Sequence, residues 1–468
     1  MEMRLTNSLT GQVEALAPKN PPLVRMYTCG PTVYDRATIG NFRTYAVADL
    51  LRRTLEALNL EPKYIMNITD VGHLTGDNLG DADTGKDRME EAAAREAVTA
   101  WDIAKRYADQ FLADYEALNL LPPDKWVKAT DHIPDQIALV KTLEEKGYAY
   151  RTSDGVYFDT TKFPAYGALS TLDKIKEGAR VGANPEKKNP RDFALWKFSQ
   201  PGEERQMEWD SPWGVGYPGW HLECSAMSMK YLGPELDIHL GGEDLRSTHH
   251  PNEIAQSEAV TGKTFVRAWV HVAFLQVDGG KMGKSLGNAY TLDDIKAHSA
   301  SPAALKYLYY SAHYRSPLNF MWEGLAAAET AVERLRGYAA HWKKGEGHIA
   351  EDAHERFLAA MADDLQTTKA LAEVWGMLRA RDVSDADKAA TLILCDEVLG
   401  LGLEDAATGK SAVEIPAEVR KLVAAREDAR KSGDFAAADR LRDDIAEKGF
   451  DVKDTATGAT ITARKGEI

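Results

Sequence analysis

The stretch YTCGPTVYDRATIGNF, residues 27–42, decides the fold because it joins a short apolar run to a helical pattern. Before it, residues 18–28 read as a loop followed by a short buried strand. After it, apolar residues recur at helical spacing from 41 to 58. The segment PKYIMNITDVGHLTG, residues 62–76, then predicts a second buried strand that ends in polar residues at Asn67–Asp70. Strand, glycine-containing turn, helix and strand form a βαβ unit.

This βαβ unit predicts an α/β fold with a ligand site at one edge of a parallel sheet. In such sheets, ligands bind beyond the carboxyl ends of the strands. Cys29 and the group Asn67–Asp70 both fall at such ends. Cys29 is therefore either a small core residue or a side chain that faces a site.

Composition limits the class of protein. The chain has 468 residues, which predicts about two to four domains. Its three cysteines argue against a disulfide framework and for a reducing compartment. No apolar run reaches the ~18 residues of a membrane span and the N-terminus lacks a signal-peptide pattern, so we expect a cytoplasmic protein. The net charge of −15 argues against a surface coated in phosphate-binding charge, although a local basic patch remains compatible with it.

Further along, the pattern changes several times. Residues 84–118 are charged and alanine-rich at helical spacing, and residues 122–200 are mixed and read as an insertion that splits the nucleotide-binding fold. The fold resumes with SPWGVGYPGWHLECSAMSMKYLG, residues 211–233. From about Leu325 onward strand signals give way to helices, and a last unit spans residues 415–468.

Four side chains are candidate zinc ligands. Cys224 joins Cys29, and the segment STHHPNEIAQSEAV predicts a helix that is capped by Ser247 or Thr248 and ends at Gly262. On that helix His249 and Glu253 are four residues apart and project from one face. Two thiols, an imidazole and a carboxylate suit a tetrahedral zinc ion.

Spacing leaves alternatives to this site open. His221 and His250 are rival ligands. Buried cysteines are often small core residues, and a His/Glu pair at this spacing is often an ordinary helix contact. Cys395, in the apolar run TLILCDEVLG, is predicted to be core.

Two glycine-containing motifs point to a nucleotide. Thr38-Ile39-Gly40-Asn41 opens the first long helix, whose N-terminus offers free N–H groups to a phosphate chain. Lys281-Met282-Gly283-Lys284-Ser285 follows an apolar strand. Its two lysines can neutralise charge that develops on a leaving pyrophosphate, and its glycines favour a loop that closes over the substrate. The alternatives are a plain helix start and a solvated basic turn.

Taken together, the motifs resemble the cysteinyl-tRNA synthetase family of class I aminoacyl-tRNA synthetases. The similar segments run from about residue 20 to the C-terminus in the order of the family: MYTCGPTVYD with TIGNFRTY, NITDVGH, YGALS, DFALWK, SPWGVGYPGWHLECSAMSMKYLG, DIHLGGEDL with HHPNEIAQSEA, and DGGKMGKSLGN. The resemblance implies a Rossmann-type catalytic domain with a connective insertion, followed by C-terminal helical domains.

The implied domains have defined limits. They are a first catalytic half (1–120), the connective insertion (121–205), a second catalytic half with the KMGKS loop (206–295), a stem-contact region (296–345), a helical bundle (346–405) and a small C-terminal tRNA (anticodon)-binding domain (410–468).

The resemblance also assigns roles to individual residues. Cys29, Cys224, His249 and Glu253 match the zinc ligands of the family. The catalytic residues are Lys281, Lys284, Thr38 and Asn41, and the ATP contacts are Thr38, Gly40, Asn41, Gly242, Asp244 and Lys284. Thr69 and Trp220 match positions near the amino-acid pocket.

Three residues depart from the family pattern. Thr38 and Asn41 replace the outer histidines of the first signature, but both can still donate hydrogen bonds to phosphate or ribose. Gly283 replaces a serine of the second signature. Tyr217 stands where the family commonly has arginine.

We therefore expect an enzyme that activates cysteine with ATP and Mg²⁺ and transfers it to tRNA(Cys), with zinc binding the substrate thiolate. A soft thiolate binds zinc far better than a neutral hydroxyl, which would exclude serine. We expect a monomer that contacts no membrane. Acidic and basic residues nearly balance in the last unit, so its role toward tRNA is implied only by the resemblance. Two alternatives are a ligase that joins cysteine to a small amine and a non-catalytic paralogue that binds tRNA or zinc.

Overall fold

The computed structural model describes most of the chain. It covers residues 1–74, 86–169, 184–200, 202, 205–283 and 286–408, and in the C-terminal part 434–448, 450–455 and 458–463 with isolated positions between 419 and 430. Two residues of the predicted lysine loop, Lys284 and Ser285, lie outside the described residues.

Strands and helices alternate through the first part of the described chain. The strands are β1 (Arg4–Asn7), β2 (Gln12–Ala15), β3 (Leu23–Thr28), β4 (Glu61–Ile68), β5 (Lys125–Lys128), β6 (Ala149–Arg151), β7 (Gly155–Phe158), β8 (Phe193–Phe198), β9 (Gly216–Pro218), β10 (Leu236–Gly242), β11 (Val266–Val272), β12 (Leu275–Val277), β13 (Gly280–Lys281), β14 (Leu318–Phe320), β15 (Phe450–Thr455) and β16 (Gly458–Ala463). The α-helices are α1 (Ile39–Ala57), α2 (Arg88–Glu96), α3 (Ala100–Ala117), α4 (Ile133–Glu145), α5 (Trp220–Leu232), α6 (His249–Thr261), α7 (Leu292–Ala297), α8 (Pro302–Tyr310), α9 (Trp322–Ala339), α10 (Glu351–Ala362), α11 (Thr367–Arg379), α12 (Asp385–Leu399), α13 (Leu403–Thr408) and α14 (Phe435–Glu447).

A five-stranded parallel sheet with the order β11-β10-β3-β4-β5 forms the centre of the molecule. Met26 of β3 lies opposite both Tyr64 of β4 and Ile238 of β10, and all three side chains are fully buried. Of the strands in this sheet, the central β3 comes first along the chain. Strands β4 and β5 follow on one side of it, and β10 and β11 come later on the other side. The order reverses between β3 and β10, which is where ligands bind in such sheets. The predicted α/β fold is confirmed.

Helix α1 covers one face of this sheet. Thr38 caps it, and the apolar residues Phe42, Tyr45 and Leu50 are buried against the strands. The prediction of a helix over residues 41–58 is therefore correct to within two residues at its start.

The helical spacing predicted for residues 84–118 is confirmed in the described part of this segment, which forms the two helices α2 and α3. Ala97 adopts a left-handed conformation with φ of 54° and ends α2. Thr99 then caps α3 in a reciprocal arrangement with Asp102. Alanine-rich spacing does not reveal such a break, because alanine is a strong helix former and only the threonine signals a new start.

A second, antiparallel sheet with the order β6-β7-β8-β9 is built largely from the predicted insertion. Strand pairing places β5 in the parallel sheet and β9 in the antiparallel sheet. The domain limits derived from the sequence stay predictions.

Helices dominate after β14, as the sequence predicts. Helices α10 and α11 pack closely, and α12 contacts both α9 and α1. The last unit differs from the expectation, because β15 and β16 form an antiparallel hairpin with Val452 opposite Ile461. Within the described residues, no helix combines the length and apolar character needed to span a bilayer.

Candidate active site

A cavity of about 220 Å³ opens where the strand order reverses. Cys29, which follows β3, lies in the wall of this cavity together with Gly30 and Trp220. Asn41 at the start of α1 and Asp244 after β10 lie in its wall as well. One predicted zinc ligand, Cys29, and the predicted nucleotide residues Asn41, Gly242 and Asp244 thus border one continuous space.

The four predicted zinc ligands converge around Cys29. Cys29 Sγ lies 3.8 Å from Cys224 Sγ and 3.7 Å from Glu253 Oε1. Glu253 Oε1 in turn lies 3.1 Å from His249 Nε2. One donor atom from each residue lies within 4.8 Å of the others, and all four side chains are buried. We call this group the Cys₂HisGlu cluster.

A second donor set shares two of these residues. His239 and His250 combine with Cys29 and Glu253 within the same 4.8 Å limit. His250 Nε2 lies 3.5 Å from Cys29 Sγ, and His239 Nε2 lies 2.9 Å from Glu253 Oε2. His250 therefore remains a rival ligand. His221 does not reach Cys29 or Glu253 in either set; instead its Nδ1 lies 2.9 Å from Nδ1 of His249.

The electrostatics of the cluster follow from its burial and its close contacts. A hydrogen bond with Cys29 lowers the pKa of the Cys224 thiol to about 7, while burial raises the pKa of Cys29 well above its usual range. Burial opposes the charge of Glu253, but the histidines His239 and His249 lower the pKa of this carboxyl to about 2. Burial likewise opposes the charge of His249, yet Glu253 raises its pKa to about 10.

The donor set fits a zinc ion. His249 Nε2 is buried and, within the described residues, has no hydrogen-bond partner, because its contact with Glu253 lacks hydrogen-bond geometry. Orphaned buried ring nitrogens are rare and call for an explanation. Thiols, an imidazole and a carboxylate are the usual protein ligands of zinc. The contact of His221 with the other ring nitrogen orients the His249 ring, as partners of metal-bound histidines do.

At the start of α1, Thr38 and Asn41 bond to each other. Thr38 Oγ1 donates to Asn41 Oδ1 over 2.8 Å, and Asn41 N donates to Thr38 Oγ1 over 3.4 Å. This capping box fixes the start of α1. Asn41 is exposed and borders the cavity, as do Gly242 and Asp244. Thr38 thus has a local structural role that the family resemblance did not indicate.

The lysine motif lies beside the same helix. Lys281 ends the short strand β13 and is exposed, and Gly283 N donates to Asn288 Oδ1 over 2.8 Å. A side chain at Gly40 would meet Met282 Sδ at 3.3 Å, so the motif contacts the start of α1. Lys284 belongs to this motif but lies outside the described residues.

Both residues that the resemblance assigned to the amino-acid pocket lie near the Cys₂HisGlu cluster. Trp220 is half-buried and its ring centroid lies 4.3 Å from that of His249. Thr69 is 1% exposed and lies behind the cavity wall, where its hydroxyl donates to Glu223 Oε2 over 3.1 Å. His73 borders the cavity and donates from Nε2 to Glu223 Oε1 over 2.9 Å.

Sequence reasoning did not single out His239, His271, His73 or Glu223. His250 Nδ1 lies 2.8 Å from His271 Nε2, so the histidines form a chain behind the cluster. His239 and His271 sit within buried strands, where a lone histidine gives no signal of its partner. The sequence does place Glu223 next to Cys224, and this adjacency was the available signal.

At one departure from the family pattern, Tyr217, an arginine from elsewhere in the chain lies against the substituted residue. Tyr217, which stands where the family commonly has arginine, carries the guanidinium of Arg205 3.4 Å from its ring centroid. Arg205 also pairs with Asp87 and donates to the carbonyl oxygen of Gly72 over 2.8 Å. A cation therefore lies over the Tyr217 ring, supplied from another part of the chain.

Comparisons with known proteins agree along the whole chain. Residues 15–330 match the family model described as tRNA synthetases class I (C) catalytic domain, and residues 412–461 match the cysteinyl-tRNA ligase anticodon binding domain. Cysteine–tRNA ligase 1 of Burkholderia lata is 47% identical over 461 residues, covering 98% of this chain and 96% of that protein. The cysteine–tRNA ligase of Novosphingobium aromaticivorans is 43% identical and covers 97% of this chain and 95% of that protein.

Solved structures share the fold at low identity. A leucyl-tRNA synthetase of Agrobacterium radiobacter, in a ternary complex with tRNA and LeuAMS, superposes with a TM-score of 0.59 at 11% identity, covering 85% of this chain and 86% of that chain. A Mycobacterium tuberculosis methionyl-tRNA synthetase bound by methionyl-adenylate superposes with a TM-score of 0.53 at 15% identity. The match covers 89% of this chain and 96% of that chain. These likenesses concern the fold alone.

Proposed function

Since the chain belongs to the cysteine–tRNA ligase family of class I tRNA synthetases, we propose that its cavity is where cysteine is activated and passed to tRNA(Cys). The observation that carries this proposal is that Cys29 of the Cys₂HisGlu cluster lines a cavity whose wall also contains Asn41 and Asp244. An amino acid held at the cluster has its carboxyl group directed toward the nucleotide end.

The first step joins the amino acid to ATP. The carboxylate of cysteine attacks the α-phosphate, which forms cysteinyl-adenylate and releases pyrophosphate. Gly40 at the start of α1 lets the nucleotide approach the backbone, and Asn41 donates to its phosphates or ribose. Gly242 and Asp244 bind the ATP ribose. Lys281 and Lys284, with the Mg²⁺ that accompanies ATP, neutralise the charge that develops on the pyrophosphate.

Selection against serine takes place at the Cys₂HisGlu cluster. When bound there, zinc supplies a soft Lewis acid that favours a thiolate over a neutral hydroxyl. Cys29, Cys224, His249 and Glu253 hold the ion, and His221 keeps the His249 ring in place. Trp220 lies over the methylene group of the substrate and excludes water. Shape alone separates such similar side chains by only about 1–3 kcal/mol, so the ligand chemistry supplies the rest.

In the second step a hydroxyl of the terminal ribose of the tRNA attacks the carbonyl carbon of cysteinyl-adenylate, which forms the ester and releases AMP. The anticodon-binding match at residues 412–461 supports tRNA as the acceptor rather than a small amine. We assign these steps to a monomer that acts in the cytoplasm.

The test is charging of total tRNA with labelled cysteine, with serine as the control and ATP–pyrophosphate exchange followed in parallel. The expected result is exchange that depends on cysteine and transfer to one tRNA species, with serine ignored. Exchange without transfer would favour a cysteine ligase for a small amine. Absence of both steps would favour a binding protein that has lost catalysis.

A further inference from the structure

A buried carboxylate lies behind the amino-acid end of the cavity. Glu223 is 0% exposed, and its two oxygens accept hydrogen bonds from Thr69 Oγ1 at 3.1 Å and His73 Nε2 at 2.9 Å. Among the described residues, no lysine or arginine forms an ion pair with Glu223. The hydrogen bonds that it accepts from side chains come from a hydroxyl and an imidazole, and the imidazole offers a countercharge only when His73 is protonated.

Glu223 lies on the same turn of α5 as two residues of the site. Trp220, Glu223 and Cys224 are spaced so that their side chains project from one side of the helix. His73 connects this turn to the cavity, because it borders the cavity and its ring centroid lies 6.2 Å from that of Trp220. The carboxylate is therefore one hydrogen bond away from a side chain that borders the cavity.

The same network supports the cavity wall from behind. Asn67 Nδ2 donates to Thr69 Oγ1 over 3.0 Å, and Asn67 Oδ1 accepts from Gly30 N over 2.8 Å. Since Thr69 gives its only hydroxyl hydrogen to Glu223, it must accept from Asn67. The orientation of the Asn67 amide, and with it the position of Gly30 beside Cys29, therefore follows from the presence of a carboxylate at 223.

We propose that Glu223 is a positioning residue for recognition of the α-ammonium group of the substrate, acting through His73 and Thr69. A buried carboxylate without a full countercharge is costly, and a positively charged group bound at the His73 side of the cavity offsets that cost. The thiol of cysteine is held at the cluster and its carboxyl group faces the nucleotide. The ammonium group is the remaining polar group, and it is the one with the required charge. This inference rests on the proposed function.

The experiment compares two ligands in the full-length protein. Cysteine carries thiol, carboxylate and ammonium groups, whereas 3-mercaptopropionate lacks only the ammonium. In ATP–pyrophosphate exchange, Glu223→Gln should raise the KM for cysteine by about tenfold or more, the loss expected for a hydrogen bond to a buried charge. The inhibition constant of 3-mercaptopropionate and the zinc content should stay unchanged. Thr69→Val, which removes the hydroxyl, should also raise the KM for cysteine relative to the inhibition constant of 3-mercaptopropionate. Thr69→Ser, which keeps the hydroxyl, should leave this ratio at the wild-type value.

The control is Glu258→Gln, which removes a half-buried carboxylate of α6 that accepts from Phe265 N and does not border the cavity. It should leave both constants unchanged. Equal weakening of the two ligands by Glu223→Gln, loss of zinc, or no change in the KM would each overturn the proposal. Wild-type protein that shows no cysteine-dependent exchange would instead overturn the proposed function, and the inference with it.

Discussion

At the scale of single residues, the choice of ligands around Cys29 depends on two adjacent histidines. His249 and His250 both approach Glu253, but His249 Nε2 comes within 3.1 Å of Glu253 Oε1 and His250 Nε2 only within 3.9 Å. His250 also bonds to His271 through its other ring nitrogen. We therefore assign the zinc to the Cys₂HisGlu cluster and place His250 behind it.

Alanine at each of the two histidines tests this assignment. His249→Ala should abolish zinc binding, because it removes one of four ligands, whereas His250→Ala should retain about one zinc per chain. Metal content measured by atomic emission after dialysis distinguishes them. Because the two residues are adjacent in α6 and both are buried, each serves as the control for the other. Retention of zinc by His249→Ala and its loss from His250→Ala would assign the metal to the set that contains His239 and His250.

The residues of the site also show which of its features could be predicted from the sequence. Cys29 and Cys224 are 195 positions apart, so spacing alone left the pair open as core residues. The family resemblance selected the four ligands, and the structure brings them together. Neither route singled out Glu223 or His73, because the charge partner of a buried residue depends on how α5 packs against the end of β4.

At the scale of elements, the start of α1 combines a structural and a chemical task. The capping box of Thr38 and Asn41 uses the same polar atoms that the resemblance assigned to ATP. An N-cap side chain contributes about 1 kcal/mol to the stability of its helix. Preorganisation of the helix start and contact with the nucleotide are therefore expected to change together.

Substitutions at Thr38 separate the contribution of its hydroxyl group from that of its methyl group. Thr38→Ala should lower the free energy of unfolding by about 1 kcal/mol and raise the KM for ATP, because the cap is lost. Thr38→Ser keeps the hydroxyl and should leave both quantities unchanged. Urea unfolding and exchange kinetics at varied ATP measure the two effects. A change in stability without any change in the KM for ATP would restrict Thr38 to a structural role.

The elements that sequence predicted best are those with local signals. The βαβ unit from β3 to β4 follows from hydrophobic periodicity and a capping threonine within a short stretch of chain. The break between α2 and α3 and the hairpin of β15 and β16 were missed. The first depends on one left-handed alanine. The second has a strand signal, since apolar residues alternate with polar ones in FDVKDT and GATITA, but each strand has only six residues and the pair follows a long helical region.

At the scale of the whole molecule, Asp364 joins three distant parts of the chain. Its carboxylate accepts hydrogen bonds from Thr6 of β1, from Tyr314 Oη at 2.6 Å and from Arg315 Nε at 3.0 Å. It lies in the turn between α10 and α11, with a positive φ of 59°. The helical bundle is thereby attached to the N-terminal hairpin and to the segment before β14.

Neighbouring aspartates provide a matched test of this junction. The Asp364 side chain is 2% exposed, whereas Asp363 is 51% exposed and lies 3.8 Å from an equally exposed Arg4. Asp364→Asn should lower the free energy of unfolding by about 2–3 kcal/mol, since it removes a buried charge that several donors stabilise. Asp363→Asn should change it by less than about 0.5 kcal/mol, as is usual for an exposed pair. Similar losses for both variants would contradict the proposed role of Asp364.

The pH dependence of the same variant gives an independent test. Burial raises the pKa of Asp364, but hydrogen bonds from Tyr314 and Thr6 outweigh it and hold the pKa below its usual value of 3.8. A carboxyl whose pKa is lowered by folding stabilises the folded state above its unfolded pKa, and this contribution is lost as the pH falls through the folded pKa. The difference in unfolding free energy between wild type and Asp364→Asn should therefore be constant from neutral pH down to about 5 and shrink below about 4. A difference that stays constant through acidic pH would mean that the substitution acts on packing rather than on charge.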